Sequence, residues 1–343
     1  MIAAALAAGL LAAMSAAQPQ SGGAASAPPA AQQEQVSRGQ IIATVTLVVV
    51  PVTVKDSSGN LVSDLEQKDF RIFEDGIEQQ ISVFSVDPVP LSAALLVDDD
   101  LKSSVARTVN KTLEAVAGGF AAVDEVSLWR FSTVPEELRE YSSDNNDLMN
   151  RLKHVELNTT FDVPTAPQMS GEPRVNTEPP IGPMPSQSST FGRPNTKHII
   201  DAVYAAAETL VKRARDRRKI IVLISDGQNG KNNAHTFDET RRLLLSNDIS
   251  VYAVGVGSAG LNRGINVMAR FAHATGGDIF YAGSREAMEN LYRRATEQAR
   301  NEYTIDYSPA HTDRTALYHS IEVRIERPGL HLLTRDGYYA NPH

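Results

Sequence analysis

Between residues 91 and 300, short apolar runs alternate with amphipathic stretches, and this rhythm limits the fold more than any other feature of the chain. AALLV at 93–97, VSLWRF at 126–131, KIIVLIS at 219–225 and ISVYAVGVG at 249–257 are the runs. A strand that reads as a nearly continuous hydrophobic run is one covered on both faces, the habit of parallel sheets. The stretches between have helical spacing: Val105, Val109, Leu113 and Val116 fall on one face, and IIDAVYAAAETLVKRA from 199 forms a long helix. Alternation of this kind predicts an α/β fold, a doubly wound and mostly parallel sheet with helices on both faces.

Local signals fix several helix starts. Thr196 is available as a cap for the helix from 199, Thr236 and Glu239 form a capping box, and Ser284 opens a last helix running to about Arg300. The two flanks are different. Residues 41–87 are rich in β-branched residues, with a turn at SSGN (57–60) and an Asp75-Gly76 hairpin signal. The strands NEYTIDYS, LYHSIEVRIER and HLLTRDGYYA follow residue 300 with no helices between them, so they cannot extend a parallel sheet. The economical arrangement is a small β-sandwich built from both chain ends, with the α/β domain inserted into it. This divides the chain into a leader (1–17), a disordered linker (18–40), one sandwich half (41–88), the α/β domain (89–300) and the other half (301–343). Residues 158–195 hold eight of the eighteen prolines and form a Pro-rich excursion at the carboxyl edge of the sheet.

Composition narrows the function. Thirty-three basic against forty-one acidic residues give a net charge of −8, which argues against nucleic acid as a partner. With no cysteine, thiolate metal sites and disulfides are excluded. MIAAALAAGLLAAMSAA reads as a secretory signal peptide, although no Lys or Arg precedes its apolar run; a short membrane anchor is the alternative. With the leader cleaved, no stable membrane span is expected, and the protein is expected to be secreted or periplasmic.

Ligands of doubly wound sheets bind at the carboxyl ends of the strands. There the sequence offers VDDDLKSS after the first α/β strand, Thr196 before a helix, and Asp226-Gly227 after KIIVLIS. Asp98, Asp100, Thr196 and Asp226 are oxygen donors of the kind that suits Mg²⁺ or another hard divalent cation.

These stretches, with DEVSLWRFS, IVLISDGQN and VYAVGVG, resemble a von Willebrand factor A (vWA) domain. The flanks VTVKDSSGNLVSDLEQKDFRIFEDGIEQQISVFS and RDGYYA resemble the subgroup of VWFA-related proteins of Acidobacteria. The resemblance spans residues 41–340. It implies non-catalytic protein binding or adhesion through a metal-ion-dependent adhesion site, whose Asp-x-Ser-x-Ser loop, Thr and later Asp hold a cation that takes an acidic side chain of a protein partner. Asp98 matches the first Asp, Thr196 the Thr and Asp226 the later Asp. Asp100 and Lys102 stand where the two serines belong. Asp100 would cancel some of a metal's charge, and the Lys102 ammonium could itself occupy the metal position and pair with Asp98, Asp100 and Asp226. If the loop shifts, Ser103 or Ser104 supplies a hydroxyl instead.

Three other readings stand beside this one. A metal-independent structural or assembly component would use the sandwich edges. A haloacid-dehalogenase-type, Mg²⁺-dependent phosphatase would use Asp98 as nucleophile and Asp100 as acid/base, but Lys102 and the β flanks do not suit it. GVGSAG at 255–260 matches a dinucleotide fingerprint, yet it follows a late strand, and a sharp strand end explains its glycines.

Overall fold

The computed structural model describes residues 47–157, 159–160, 197–262, 266–309 and 317–340. The leader, the linker, most of the Pro-rich segment and Thr196 lie outside the described residues. The described residues all fall within one unit.

The first layers come from the chain ends. Strand β1 (Val48–Lys55) carries Val48, Val50, Val52 and Val54, all buried, as the period of two requires when one face meets a core. It pairs antiparallel with β13 (Tyr303–Tyr307) and β15 (His331–Thr334), and β4 (Ile81–Ser85) lies on the far side of β13. A second antiparallel sheet holds, in order, β16 (Gly337–Tyr339), β14 (Tyr318–Ile325), β2 (Phe70–Glu74) and β3 (Ile77–Gln79). Val50, Val52, Phe70, Ile72, Tyr303, Ile305, Tyr307, Ile321 and Val323 fill the space between the sheets. The chain ends therefore meet in one β-sandwich, as their helix-free sequence predicts. The Asp75-Gly76 turn has positive φ at both positions, 48° and 81°, the geometry of a two-residue hairpin turn. Gly76→Ala should cost about 1 kcal/mol in chemical denaturation, the price of a side chain in the left-handed region. No loss at all would show that the hairpin can relax.

Between these ends lies a six-stranded sheet in the order β12 (Ile279–Tyr281), β11 (Ile249–Gly255), β10 (Arg218–Ser225), β5 (Leu91–Asp98), β7 (Glu125–Phe131) and β8 (Pro135–Ser142). All pairings are parallel except β7 with β8; the two-residue strands β6 (Leu101–Lys102) and β9 (Thr159–Thr160) form a separate parallel pair. Every residue of β5 is buried, because its alternate side chains enter two different cores. Leu91, Ala93, Leu95 and Val97 face one, with α1 (Ser103–Thr112), the 3-10 turn at 113–119, α2 (Asn145–His154) and α6 (Arg285–Arg300). Ala94 and Leu96 face the other, with α3 (Ile199–Val211), α4 (Phe237–Ser246) and α5 (Val267–Ala274). The predicted capping box is present, with Glu239 N–H donating to Thr236 Oγ1 at 3.2 Å and Thr236 N–H to Glu239 Oε2 at 2.8 Å.

The sandwich and the α/β sheet are joined by buried polar contacts. Arg218 at the start of β10 donates to the Ala299 carbonyl (2.6 Å) and to Thr304 Oγ1 (2.9 Å), and lies 3.5 Å from the Glu302 carboxylate. Glu302 also accepts from Tyr252 Oη of β11 and from Thr53 Oγ1 of β1 (3.4 Å). Burial pushes the Glu302 carboxyl above its ordinary range, with Arg218 pulling against it.

Two features differ from expectation. Strand β8, PEELREYS, was not anticipated: its charged residues suit an edge strand that must discourage further pairing. Helix α3 begins after His198, which makes no side-chain cap; the Ile199 N–H is instead taken by Asn229 Oδ1 of the loop after β10, at 2.8 Å.

Candidate functional site

In the central sheet β5 is followed by β7 on one side, while β10 lies on its other side. The crevice between β5 and β10 is thus a topological switch point, where a doubly wound sheet opens a site at its carboxyl edge. Asp98 is the last residue of β5, and Asp226 directly follows β10. Gly227, at φ 78°, turns the chain sharply after Asp226, and its N–H returns to Ser225 Oγ at 3.1 Å.

The two carboxylates are held together by a lysine. Lys197 Nζ donates to Asp98 Oδ2 at 3.1 Å and to Asp226 Oδ1 at 2.9 Å. Side-chain exposure is 0% for Asp98, 4% for Lys197 and 6% for Asp226, so all three charges are withdrawn from water. Their remaining hydrogen-bonding capacity is well used. Ser225 Oγ donates to Asp98 Oδ2 at 2.6 Å, and the Asp100 N–H to Asp98 Oδ1 at 2.9 Å. Gln228 reaches Asp226 twice, through N–H to Oδ1 and Nε2 to Oδ2, each at 3.1 Å. The lysine backbone is pinned from both sides: its carbonyl accepts from Gly230 N–H at 2.6 Å, and the next residue's N–H donates to the Ser132 carbonyl at 2.8 Å.

The electrostatics follow from two acids sharing one base. Burial opposes the Lys197 charge, but the Asp98 and Asp226 carboxylates outweigh it and hold the ammonium above its ordinary 10.5. Burial pushes the Asp98 carboxyl above its ordinary 3.8, with the Lys197 ammonium and the Ser225 hydroxyl pulling the other way.

The sequence-derived residues are distributed as follows. Asp98 and Asp226 converge. Asp100 is half-buried beside them and supplies its backbone N–H to Asp98. Lys102 is exposed at the start of α1, so the ammonium between the acids is that of Lys197, not of Lys102 as the sequence suggested. Ser103 begins α1 and is half-buried, Ser104 is exposed, and Thr196 lies outside the described residues. Sequence reasoning missed Lys197, Ser225 and Gln228; the signal for the first was a lysine adjoining the candidate Thr at the same helix start. Asp99, at the loop's centre, is buried 3.6 Å from Arg130 Nε. GVGSAG resolves into the end of β11 and a 3-10 turn at 257–262.

A divalent cation at the Asp98–Asp226 position would stand roughly 2.0–2.1 Å from each ligand oxygen if it were Mg²⁺. Lys197 Nζ lies within 3.1 Å of both carboxylates and takes that space. With two carboxylates claimed by an ammonium and Lys102 in place of a hydroxyl, the described residues do not fit a metal between Asp98 and Asp226. A separate cluster lies in the sandwich. Glu74, Asp75 and His319 bring potential ligand atoms within 4.8 Å of one another. His319 Nδ1 is 2.8 Å from Asp75 Oδ2 and 3.7 Å from Glu74 Oε1, while Tyr307 Oη donates to Glu74 Oε2 at 2.6 Å.

Residues 187–294 match the family model of the von Willebrand factor type A domain. The fold is vWA-like: a mostly parallel α/β sheet, flanked here by antiparallel sheets. The match begins after β5 and so leaves out the loop that carries Asp98 and Asp100. Among solved structures, proximal thread matrix protein 1 from the mussel byssus is similar at 13% identity and TM-score 0.43, over 64% of this chain and 49% of that one. The same protein with a zinc-occupied MIDAS motif gives 16% identity and TM-score 0.41, over 67% and 50% of the two chains. A von Willebrand factor type A protein from Catenulispora acidiphila gives 8% and 0.42, over 78% and 73%. This chain thus spans about half the length of the mussel protein. No curated protein matches it.

Proposed function

We propose that this protein is a non-catalytic, extracytoplasmic protein-binding module that docks its partner on the carboxyl edge of the vWA-like sheet, without a metal. The observation that carries the reading is the paired Asp98 and Asp226 at the switch point, neutralised in part by Lys197. Around this buried triad, the exposed or half-buried Asp100, Lys102, Ser104 and Gln228 give the rim hydrogen-bonding groups for another macromolecule. With no open metal coordination position, the partner's acidic side chain has no cation to ligate, and recognition falls to these rim groups.

Extracytoplasmic placement rests on the leader sequence. Among the described residues no helix is long and apolar enough to cross a membrane. The finer likeness to VWFA-related proteins of Acidobacteria rests on the flanking sequences alone. The phosphatase reading suffers from the burial of Asp98: its carboxylate is enclosed by Lys197, Ser225 and the Asp100 N–H, so no face is open to a phosphate ester. The assembly reading has one observation in its favour. Among the described residues, edge strand β4 pairs only with β13, and it exposes Val83, at 44%.

Photo-crosslinking in the native cell separates docking from assembly. A photoreactive residue at Lys102 or Gln228 should trap a discrete partner, unchanged by EDTA, while one at Arg293 on the outer face of α6 should not. Crosslinks from Val83 with none from the rim would replace docking by assembly through the sandwich edge.

A further inference from the structure

The Asp98–Asp226 pair asks for a positive charge. Two carboxylates of almost no exposure, at the ends of adjacent strands, would repel each other in a low-dielectric crevice if nothing lay between them. Metal-dependent relatives are expected to answer with a divalent ion. Here the answer comes from within the chain. We propose that the Lys197 ammonium is the resident cation of this domain: it fills the position a divalent ion would take, and it makes docking indifferent to divalent cations. Asp98 and Asp226 then become a cation site only when the lysine charge is removed.

Three observations support this. Lys197 is bonded to both acids at hydrogen-bond distance, not to one of them with the other left to solvent. Its carbonyl accepts from the Gly230 N–H and the N–H of the next residue, His198, donates to the Ser132 carbonyl, so the side chain is delivered to the crevice by the same loops that shape it. Ser225 and Gln228 complete the second lone pairs of the acids, an arrangement that orients carboxylates around a cation of either kind. The proposal rests on the reading of this crevice as the domain's functional edge, but not on the existence of any partner. Failure of the crosslinking would leave the cation question open to its own test.

That test uses Mn²⁺ as the probe and the full chain as the protein, with bound and free Mn²⁺ counted by electron paramagnetic resonance. Lys197→Ser should bind one Mn²⁺ more than the wild type, at least tenfold tighter than any site of the wild type. The extra site should vanish in Lys197→Ser/Asp226→Asn, a control that keeps any background from Glu74, Asp75 and His319 and so lets it be subtracted. Equal binding by the wild type and Lys197→Ser would overturn the proposal, because the lysine would then exclude nothing. So would extra binding that survives Asp226→Asn. Should Lys197→Ser fail to fold in EDTA, it is refolded in millimolar Mn²⁺. Recovery of the native spectrum supports the proposal, and a chain that folds in neither condition overturns it.

Discussion

Lys197→Met should lower the free energy of unfolding at pH 7 by about 3–5 kcal/mol, the usual cost of leaving a buried charge without its partner. Methionine fills much the same volume, so the loss reports charge and not a cavity. Both acids lie in the crevice with under a tenth of their surface exposed, and neither can turn to water without breaking the bonds to Ser225 or Gln228. The effect carries a pH signature. In the variant, burial without a counter-charge raises the folded carboxyl pKa further above 3.8. A group raised on folding adds stability below its unfolded value and loses it as pH rises through the folded one. The gap between variant and wild type should therefore be smallest near pH 4 and widen toward neutrality. In the wild type the sign for the lysine is likewise fixed. Its pKa is raised on folding, so its contribution is whole below 10.5 and lost as pH climbs beyond the folded value. Urea titrations across pH 4 to 8 check the first statement; a loss under about 1 kcal/mol at pH 7 would mean that the triad is not charge-paired.

The second large effect lies at the opposite end of β5. Asp124 is 1% exposed and holds the entry of β5: its carboxylate accepts from the Leu91 N–H at 2.9 Å and the Ala121 N–H at 2.7 Å. It also pairs with Arg300 at the end of α6, 2.5 Å from Nη2. Asp124→Ala strands two backbone donors and a guanidinium, and should cost about 3–5 kcal/mol. Asp124→Asn keeps one acceptor and should lose less. Equal, small losses from both would show that water replaces the carboxylate. A loss in Asp124→Ala should leave the crevice chemistry intact, because the changes lie at opposite ends of β5 and share no partners.

The contrast between the two sites shows what sequence can and cannot convey. The parallel core was legible because a strand covered on both faces has one solution, an unbroken apolar run, and β5, β10 and β11 all show it. The sandwich was legible because strands without intervening helices must pair antiparallel. Strand β8 was hidden, since its edge position is marked by the Glu and Arg residues that otherwise suggest a loop. Asp98 and Asp226 could be placed on one edge from their positions at strand ends. The cation between them could not. Two lysines stand near candidate ligands, and which of them enters the crevice depends on backbone direction. Lys102 leads into α1 with its side chain outside, whereas Lys197 is aimed inward by two loops far apart in sequence: the Gly230 N–H donates to its carbonyl, and the N–H of His198 donates to the Ser132 carbonyl. The Glu74–Asp75–His319 cluster was equally hidden, because β14 reaches the β2 hairpin only through sandwich pairing of the two chain ends.

The most direct measurement of the central claim is a calorimetric titration of Mg²⁺ into the wild type and into Asp226→Asn. With Lys197 as the resident cation, the two isotherms should superimpose up to millimolar Mg²⁺. A saturable step present in the wild type and absent from Asp226→Asn would contradict it, because the acids would then be binding a metal in spite of the lysine.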